Sequence, residues 1–272
     1  MSALRNDEVQ KLVRRGGAWL RTHPEREVIA NRYLKHQRSL ARRALEQLIV
    51  EDAPDADEVA VSHAQEEAEI ETRISLNDQR IGAVLAALRQ SGAKRVLDVG
   101  CGEGQLLRAL LKDKSFEEIV GVDVSHRSLE IAADRLRLDA MPARQRNRVK
   151  LVQGSITYRD ERLSGYDAAA CVEVIEHLDP PRRAAFERSM FEHARPCTVI
   201  VTTPNHEYNV KLEGLPAGRF RHKDHRFEWS RVEFELWARG VASRFGYGLR
   251  VLPVGPVDEI LGPPTQMGVF TR

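Results

Sequence analysis

The chain has 272 residues, 42% of them hydrophobic and 30% charged, with a net charge of only +2. That is the balance of an ordinary globular protein with material for one large domain, or for a domain and an appendage. No apolar run approaches the roughly 18 residues of a membrane helix, and MSALRNDEVQ lacks a signal peptide's apolar centre, so the expectation is a cytoplasmic protein with no membrane partner. The three cysteines, Cys101, Cys171 and Cys197, match no zinc spacing, and their odd number argues against a disulfide framework. They are expected to be reduced and buried.

Charge is uneven along the chain. Residues 1–50 carry 11 Lys/Arg against 5 Asp/Glu, and residues 51–75 carry 9 Asp/Glu against one Arg. Such a step marks a boundary as readily as a solvated helix face. Residues 6–49 read as two helices, with Asn6 and Thr22 as caps and a rough apolar stripe through Val28, Ile29, Tyr33, Leu40, Leu45 and Leu48. The expected organisation is a helical N-terminal segment at 1–50, an acidic linker at 51–73 and one domain at 74–272.

From residue 74 the pattern alternates. Helices are predicted at 74–91, 104–113, 126–139, 180–194 and 230–245. Strands are predicted at 95–100, 118–123, 149–153, 166–172, 197–203, 248–254 and 266–271. Alternation of this kind implies an α/β fold, a mostly parallel sheet with helices on both faces.

Asp98-Val-Gly-Cys-Gly-Glu-Gly104 follows a strand and opens a helix. Gly100, Gly102 and Gly104 permit a sharp turn and close approach of a ligand to backbone. The spacing is GxGxG, not the GxGxxG of dinucleotide binders. One βα unit later, Asp123 ends the next strand, where a carboxylate can take both hydroxyls of a ribose. The bland alternative is a structural βα turn. Together these residues resemble the class I S-adenosylmethionine-dependent methyltransferases. That resemblance implies a Rossmann-like, seven-stranded sheet with a reversed final hairpin, which TQMGVFTR suits. It also gives Asp123 the cofactor ribose, places Ser155 of VQGSITYRD at the adenine edge, and puts Asp98 and the three glycines in the cofactor site.

CVEVIEHLDPP (171–181) starts like a buried strand and ends like a loop, setting Glu173, Glu176 and His177 where a central strand leaves the core. In a doubly wound sheet, ligands sit outside the carboxyl ends of the strands. Downstream, HKDHRFEWSR (222–231) supplies His222 and His225. Two Glu oxygens and two His nitrogens could hold one divalent ion; separately, either cluster reads as a solvated rim. Jointly, EVIEHLDPPR, TPNHEYN, HKDHRFEWSR and PPTQMGVFT resemble the bacterial branch of the small-RNA 3′-terminal 2′-O-methyltransferases, over about 76–272.

The resemblance implies a Glu-x-x-Glu-His plus distant His metal set, here Glu173, Glu176, His177 and His225. His225 is preferred to His222 because it directly precedes RFEWSR. It implies methyl transfer to the 2′-hydroxyl of an RNA 3′ end in RNA repair. It also implies an N-terminal region that activates an RNA ligase in a kinase-phosphatase partner, of which residues 1–50 resemble only the end.

The chemistry suits these residues. A ribose hydroxyl is a poor nucleophile, and a divalent ion both acidifies and fixes it. An RNA 3′ end has adjacent 2′ and 3′ hydroxyls, so four protein ligands and two sugar oxygens make a six-coordinate site. A mixed oxygen and imidazole set suits Mn²⁺ better than Mg²⁺. His177 or His225 is a candidate proton acceptor, though not through a metal-bound nitrogen. Arg219, Arg221, Lys223, Arg226 and Arg231 form a basic cluster, the first four of them expected to meet RNA phosphates. Composition makes 211–226 a flexible segment, able to close over the RNA end. The basic run from Arg135 to Lys150 is expected to be a solvated face. Two rival readings remain: a metal-dependent O-methyltransferase of a small vicinal diol or catechol, and a non-catalytic partner-binding module.

Overall fold

A computed structural model of the chain describes residues 76–212, 214–216 and 218–272. The expected helical segment at 1–50 and the acidic linker at 51–73 lie outside the described residues. Helix α1 (Leu76–Gln90) leads into β1 (Arg95–Val99), α2 (Gln105–Lys112), β2 (Glu118–Asp123), α3 (His126–Arg135), the short α4 (Ala143–Arg146) and β3 (Val149–Gln153). Then come β4 (Ala168–Val172), α5 (Pro180–Glu187), β5 (Thr198–Pro204), α6 (Arg231–Phe245), β6 (Gly248–Val254) and β7 (Thr265–Thr271). Among the described residues no helix is long and apolar enough to cross a membrane.

The seven strands form one sheet in the order β3-β2-β1-β4-β5-β7-β6. β7 runs antiparallel to both β5 and β6, and the other pairings are parallel, so the expected reversed hairpin is present. The chain winds outward from β1 through β2 to β3, then returns to lay β4 on the other side of β1. The crevice this opens at the carboxyl ends of β1 and β4 is where a doubly wound sheet holds its ligand.

Two cores follow from the period of two along each strand. Val96, Ala168, Ala170 and Ile200 face α1 and α2, packing on Val84, Leu88, Leu107 and Leu110. Leu97, Ala169, Cys171 and Val201 face the other way, against Phe186 and Phe191 below β4 and Val241 and Ala242 of α6. Strands buried on both faces need apolar residues on both, which is why AAACV is uniform and RVLDV is apolar except for exposed Arg95 and buried Asp98.

Two helices differ from expectation. The segment predicted as one helix at 126–139 stops at Arg135, and Arg137 takes a left-handed conformation (φ 52°) before a 3-10 turn at Leu138–Ala140. The segment at 180–194 begins as an α-helix, with Asp179 capping it and Pro180 at its first turn, then widens into a π-helix at Arg188–Ala194. Helix α6 starts in a full capping box between Ser230 and Glu233 and stops at left-handed Gly246.

Two expectations are corrected here. Cys197 is exposed, because it lies just ahead of β5, while Cys101 and Cys171 are buried as expected. Within the basic run from 135 to 150, Arg148 is a structural group rather than part of a solvated face. Its guanidinium donates to the carbonyls of Leu111, Asp113 and Phe116, closing the end of α2.

Removing the Ser230 cap by Ser230→Ala is expected to cost about 1 kcal/mol. Phe191→Ala, at the centre of an aromatic cluster with Phe186, Tyr247 and Phe270, is expected to cost about 3–5 kcal/mol. Urea denaturation of the two variants checks both values and their order.

Candidate active site

The glycine loop leaves β1 with three left-handed residues, Gly100 (φ 74°), Gly102 (φ 49°) and Gly104 (φ 82°). Each has a separate job. A Cβ on Gly100 would lie 2.6 Å from Cγ2 of Val174, so its absence lets the loop meet the turn after β4. The N–H of Gly102 donates to Oδ2 of Asp123 at 2.8 Å. Gly104 sits at the start of α2, where a Cβ would press on Ala132 at 3.1 Å. Asp123 also accepts the N–H of Ser125 on Oδ1 at 2.8 Å, which fixes its carboxylate plane and leaves lone pairs for a further donor.

Gly100, Asp123 and Ser155 line one cavity of about 510 Å³, whose wall also includes Glu173, Val174, His177 and Arg182. That volume lies within the usual range for a cofactor-sized ligand. Asp98 is not in the wall. It lies beneath, buried with Oδ2 unpartnered, and burial together with the nearby Asp123 charge pushes its pKa up to about 8. A cation bound above the glycine loop would favour the ionised form of this buried carboxyl, which fits a sulfonium-bearing molecule such as S-adenosylmethionine.

The turn after β4 answers why carboxylates stand where the strand leaves the core. Glu173 takes a left-handed conformation (φ 52°), rare for a non-glycine residue and characteristic of functional turns. Its N–H donates to Oγ1 of Thr202 at 3.1 Å, whose hydroxyl donates back to Oε1 at 2.8 Å. Oε2 pairs with Nη2 of Arg80 at 3.1 Å, inside the protein on both sides. Glu176 follows in a 3-10 turn (Ile175–His177), is fully buried, and accepts a long hydrogen bond from Thr203 at 3.3 Å. Backbone closes the site, since the N–H of Arg226 donates to the Glu176 carbonyl at 2.8 Å.

Three imidazoles meet beside this turn. His177, His222 and His225 place ligand nitrogens within 4.8 Å of one another. The two Glu side chains approach from β4 and are held by Thr202, Thr203 and Arg80. His177 is depressed to about 4, first by burial and then by its two imidazole neighbours, so it is neutral at pH 7. His222 accepts the Asp224 N–H on Nδ1 at 3.0 Å, which puts its proton on Nε2 when neutral. In His225 the arrangement is reversed. Nδ1 lies 2.6 Å from Oε1 of Glu228, and Nε2 is buried without a hydrogen-bond partner. That bare nitrogen, with a neutral His177 and His222 beside it, is a donor set that fits a divalent cation; the structure groups these three imidazoles, His222 among them, while Glu173 and Glu176 are turned to Thr202, Arg80 and Thr203.

The basic rim is smaller than the sequence implied. Arg219, Lys223 and Arg226 are exposed. Arg221 is not on the rim at all: it is 2% exposed and donates to Asn209, Asn205 and Pro264. Arg80 and Glu228 were not foreseen. Glu228 follows His225 by three residues, a spacing visible in HRFE, whereas nothing in the sequence ties Arg80 to Glu173.

The geometry agrees with comparison to known proteins. A family model described as a methyltransferase domain matches residues 97–199. Another, described as the RNA repair, ligase-Pnkp-associating region of Hen1, matches residues 3–49. The small RNA 2′-O-methyltransferase of Mus musculus is 36% identical over 204 residues, 72% of this chain and 51% of that protein. That of Arabidopsis thaliana is 34% identical over 214 residues, 72% of this chain and 22% of that one. The chain thus spans about half the length of the first curated relatives it matches. Among solved structures, the methyltransferase domain of bacterial CtHen1-CN is 56% identical, with a TM-score of 0.68, and is covered over 100% of its length by 73% of this chain. The small RNA methyltransferase HEN1 is 33% identical with a TM-score of 0.65, covering 73% of this chain and 26% of that one. With a whole homologous domain matched at that identity, the chain belongs to the Hen1 family of small RNA 2′-O-methyltransferases.

Proposed function

We propose that this protein transfers a methyl group from S-adenosylmethionine to the 2′-hydroxyl of the 3′-terminal ribose of RNA, in RNA repair. The observation that carries the reading is that Asp123 and Ser155 line the same cavity as Glu173 and His177. A nucleoside held at one end brings its sulfonium methyl towards the carboxylate and imidazole turn at the other. Methyl transfer is an in-line displacement, so holding both partners in one channel supplies most of what the reaction needs.

Asp123 takes the cofactor ribose, Ser155 the adenine edge, and Asp98, with Gly100, Gly102 and Gly104, supports the sulfonium end. Glu173, Glu176, His177 and His225 are the proposed metal ligands, with Mn²⁺ preferred to Mg²⁺ for a mixed oxygen and nitrogen set. A divalent ion bound there supplies the positive charge that acidifies the 2′-hydroxyl and fixes it beside the 3′-hydroxyl. His222, with its proton on Nε2, offers the sugar a donor rather than a lone pair. Exposed Arg219, Lys223 and Arg226 stand beside the imidazoles and favour a polyanionic substrate over a small diol or catechol.

Residues 3–49 resemble a region described as ligase-Pnkp-associating. We assign residues 1–50 to docking on an RNA ligase or kinase-phosphatase partner, 51–73 to a linker, and 74–272 to catalysis.

Methyl transfer to a short RNA ending in a 2′,3′-diol tests the reading against the same RNA ending in 2′-deoxyribose or 3′-phosphate, with and without Mn²⁺. Only the diol with metal is expected to be labelled; equal labelling of periodate-cleaved RNA refutes it. Glu176→Ala is expected to lower metal-dependent methylation by roughly 100-fold or more, and unchanged labelling in the presence of chelator would remove the metal from the reaction. Deleting residues 1–60 is expected to spare methylation and abolish partner capture.

A pH test follows from His177. An unfolded histidine takes up its proton near pH 6.5, whereas His177 in the fold does so only at about 4. Its contribution is intact above 6.5 and is lost as pH falls through that window, amounting to roughly 2 kcal/mol at pH 5. Chemical denaturation of the metal-free protein at pH 7 and pH 5 is expected to show this loss shrinking in His177→Gln.

A further inference from the structure

The bare nitrogen of His225 is the end of a buried chain of hydrogen bonds, whose residues His225, Glu228, Asn209 and Arg221 stand outside the lining of the cofactor cavity. Glu228 lies three residues after His225, and both side chains have no solvent exposure. Its Oε1 receives His225 Nδ1 at 2.6 Å and also the N–H of Arg221 at 2.6 Å. Its Oε2 receives Nδ2 of Asn209 at 2.5 Å. Asn209 accepts Nε of Arg221 at 2.8 Å, and Arg221 is itself fastened to the carbonyls of Asn205 and Pro264. The carboxylate therefore cannot swing away from the imidazole without breaking bonds to two other parts of the chain.

We propose that Glu228 is a positioning residue: it fixes the His225 tautomer and ring orientation, so that Nε2 presents its lone pair to a divalent cation. This rests on the metal reading given above. The argument is electronic as well as geometric. A carboxylate only accepts, so the proton shared with it belongs to Nδ1, and the lone pair is forced onto Nε2. An ordinary buried ion pair would not need Nε2 to stay unpartnered, and an unsatisfied buried polar atom costs about 1–3 kcal/mol. Here Nε2 is buried with no hydrogen-bond partner, while both carboxylate oxygens of Glu228 and the side-chain amide of Asn209 have theirs. Carboxylate-backed imidazoles are the usual device by which proteins raise a ligand's basicity and hold its aim. Arg221 then has a role that its basic character hides, as the anchor of Glu228 and not as a phosphate ligand.

The test uses the full chain. Mn²⁺ affinity is measured from the free-ion electron paramagnetic resonance signal in wild type and Glu228→Gln, with S-adenosylmethionine affinity measured by calorimetry on the same samples. Glu228→Gln is expected to bind Mn²⁺ about 10–100-fold more weakly and the methyl donor as wild type does. Wild-type Mn²⁺ affinity in the folded variant, even with a lower melting temperature, overturns the proposal and leaves the metal reading standing. Absence of Mn²⁺ binding by wild type overturns both. Should the variant not fold, long-range ¹H–¹⁵N correlation on metal-free wild type decides: the Nδ1–H tautomer of His225 is expected, and Nε2–H refutes the role.

Discussion

Parallel pairing of β1 with β4 is the constraint on which everything else depends. It registers Val96, Leu97 and Asp98 against Ala168, Ala169 and Ala170, so the loop after β1 and the turn after β4 leave the sheet side by side. The two interlock where Gly100 lacks a Cβ and the Val174 side chain occupies the space. One loop carries the left-handed glycines, and the other carries Glu173, Glu176 and His177. Neither segment alone makes a site. Adjacent in the sheet, they put the glycine loop with Asp123 and the turn with Glu173 and His177 in the wall of one cavity.

Electrostatics explains why that turn is built with so much support. Two carboxylates taken out of water are costly unless each finds a partner. Thr202 and Arg80 hold Glu173, and Thr203 reaches Glu176. The imidazoles add no compensating charge while neutral, and His177 is kept so by burial. The neighbourhood therefore favours positive charge, and Arg80 supplies only one unit of it, to Glu173. A left-handed Glu173 adds local backbone strain that the flanking hydrogen bonds have to overcome.

How much of this was legible in the sequence depended on whether the signal was local. The strands were, because uniform apolar runs such as AAACV admit little else, and β3 and β6 fall at the predicted limits. The Glu-x-x-Glu-His turn and the glycine loop were also local. Helix periodicity, by contrast, cannot distinguish an α-helix from the π-helix at Arg188–Ala194, since both keep an apolar face inward. Cys197 read as buried on residue type alone, and it is exposed. Arg80 lies far from Glu173 in sequence and meets it only through the sheet. Arg221 was read by its charge, and only burial shows that the charge is spent inside.

The segment from Arg219 to Glu228 shows why charge and function part company there. Arg219, Lys223 and Arg226 point to solvent, while Arg221, His222, His225 and Glu228 point inward. The same few residues thus offer cations to a polyanion on one side and imidazoles to the interior on the other. Arg183 holds this strip against the body by stacking over Phe227 at 5.0 Å and Trp229 at 4.9 Å, contacts worth about 0.5–2 kcal/mol each. Because His225 is held by Glu228, and Glu228 by Arg221 and Asn209, a shift of the exposed rim has to disturb the His225 imidazole as well. Coupling of that kind links the position of the exposed rim to the geometry of the imidazole cluster beneath it.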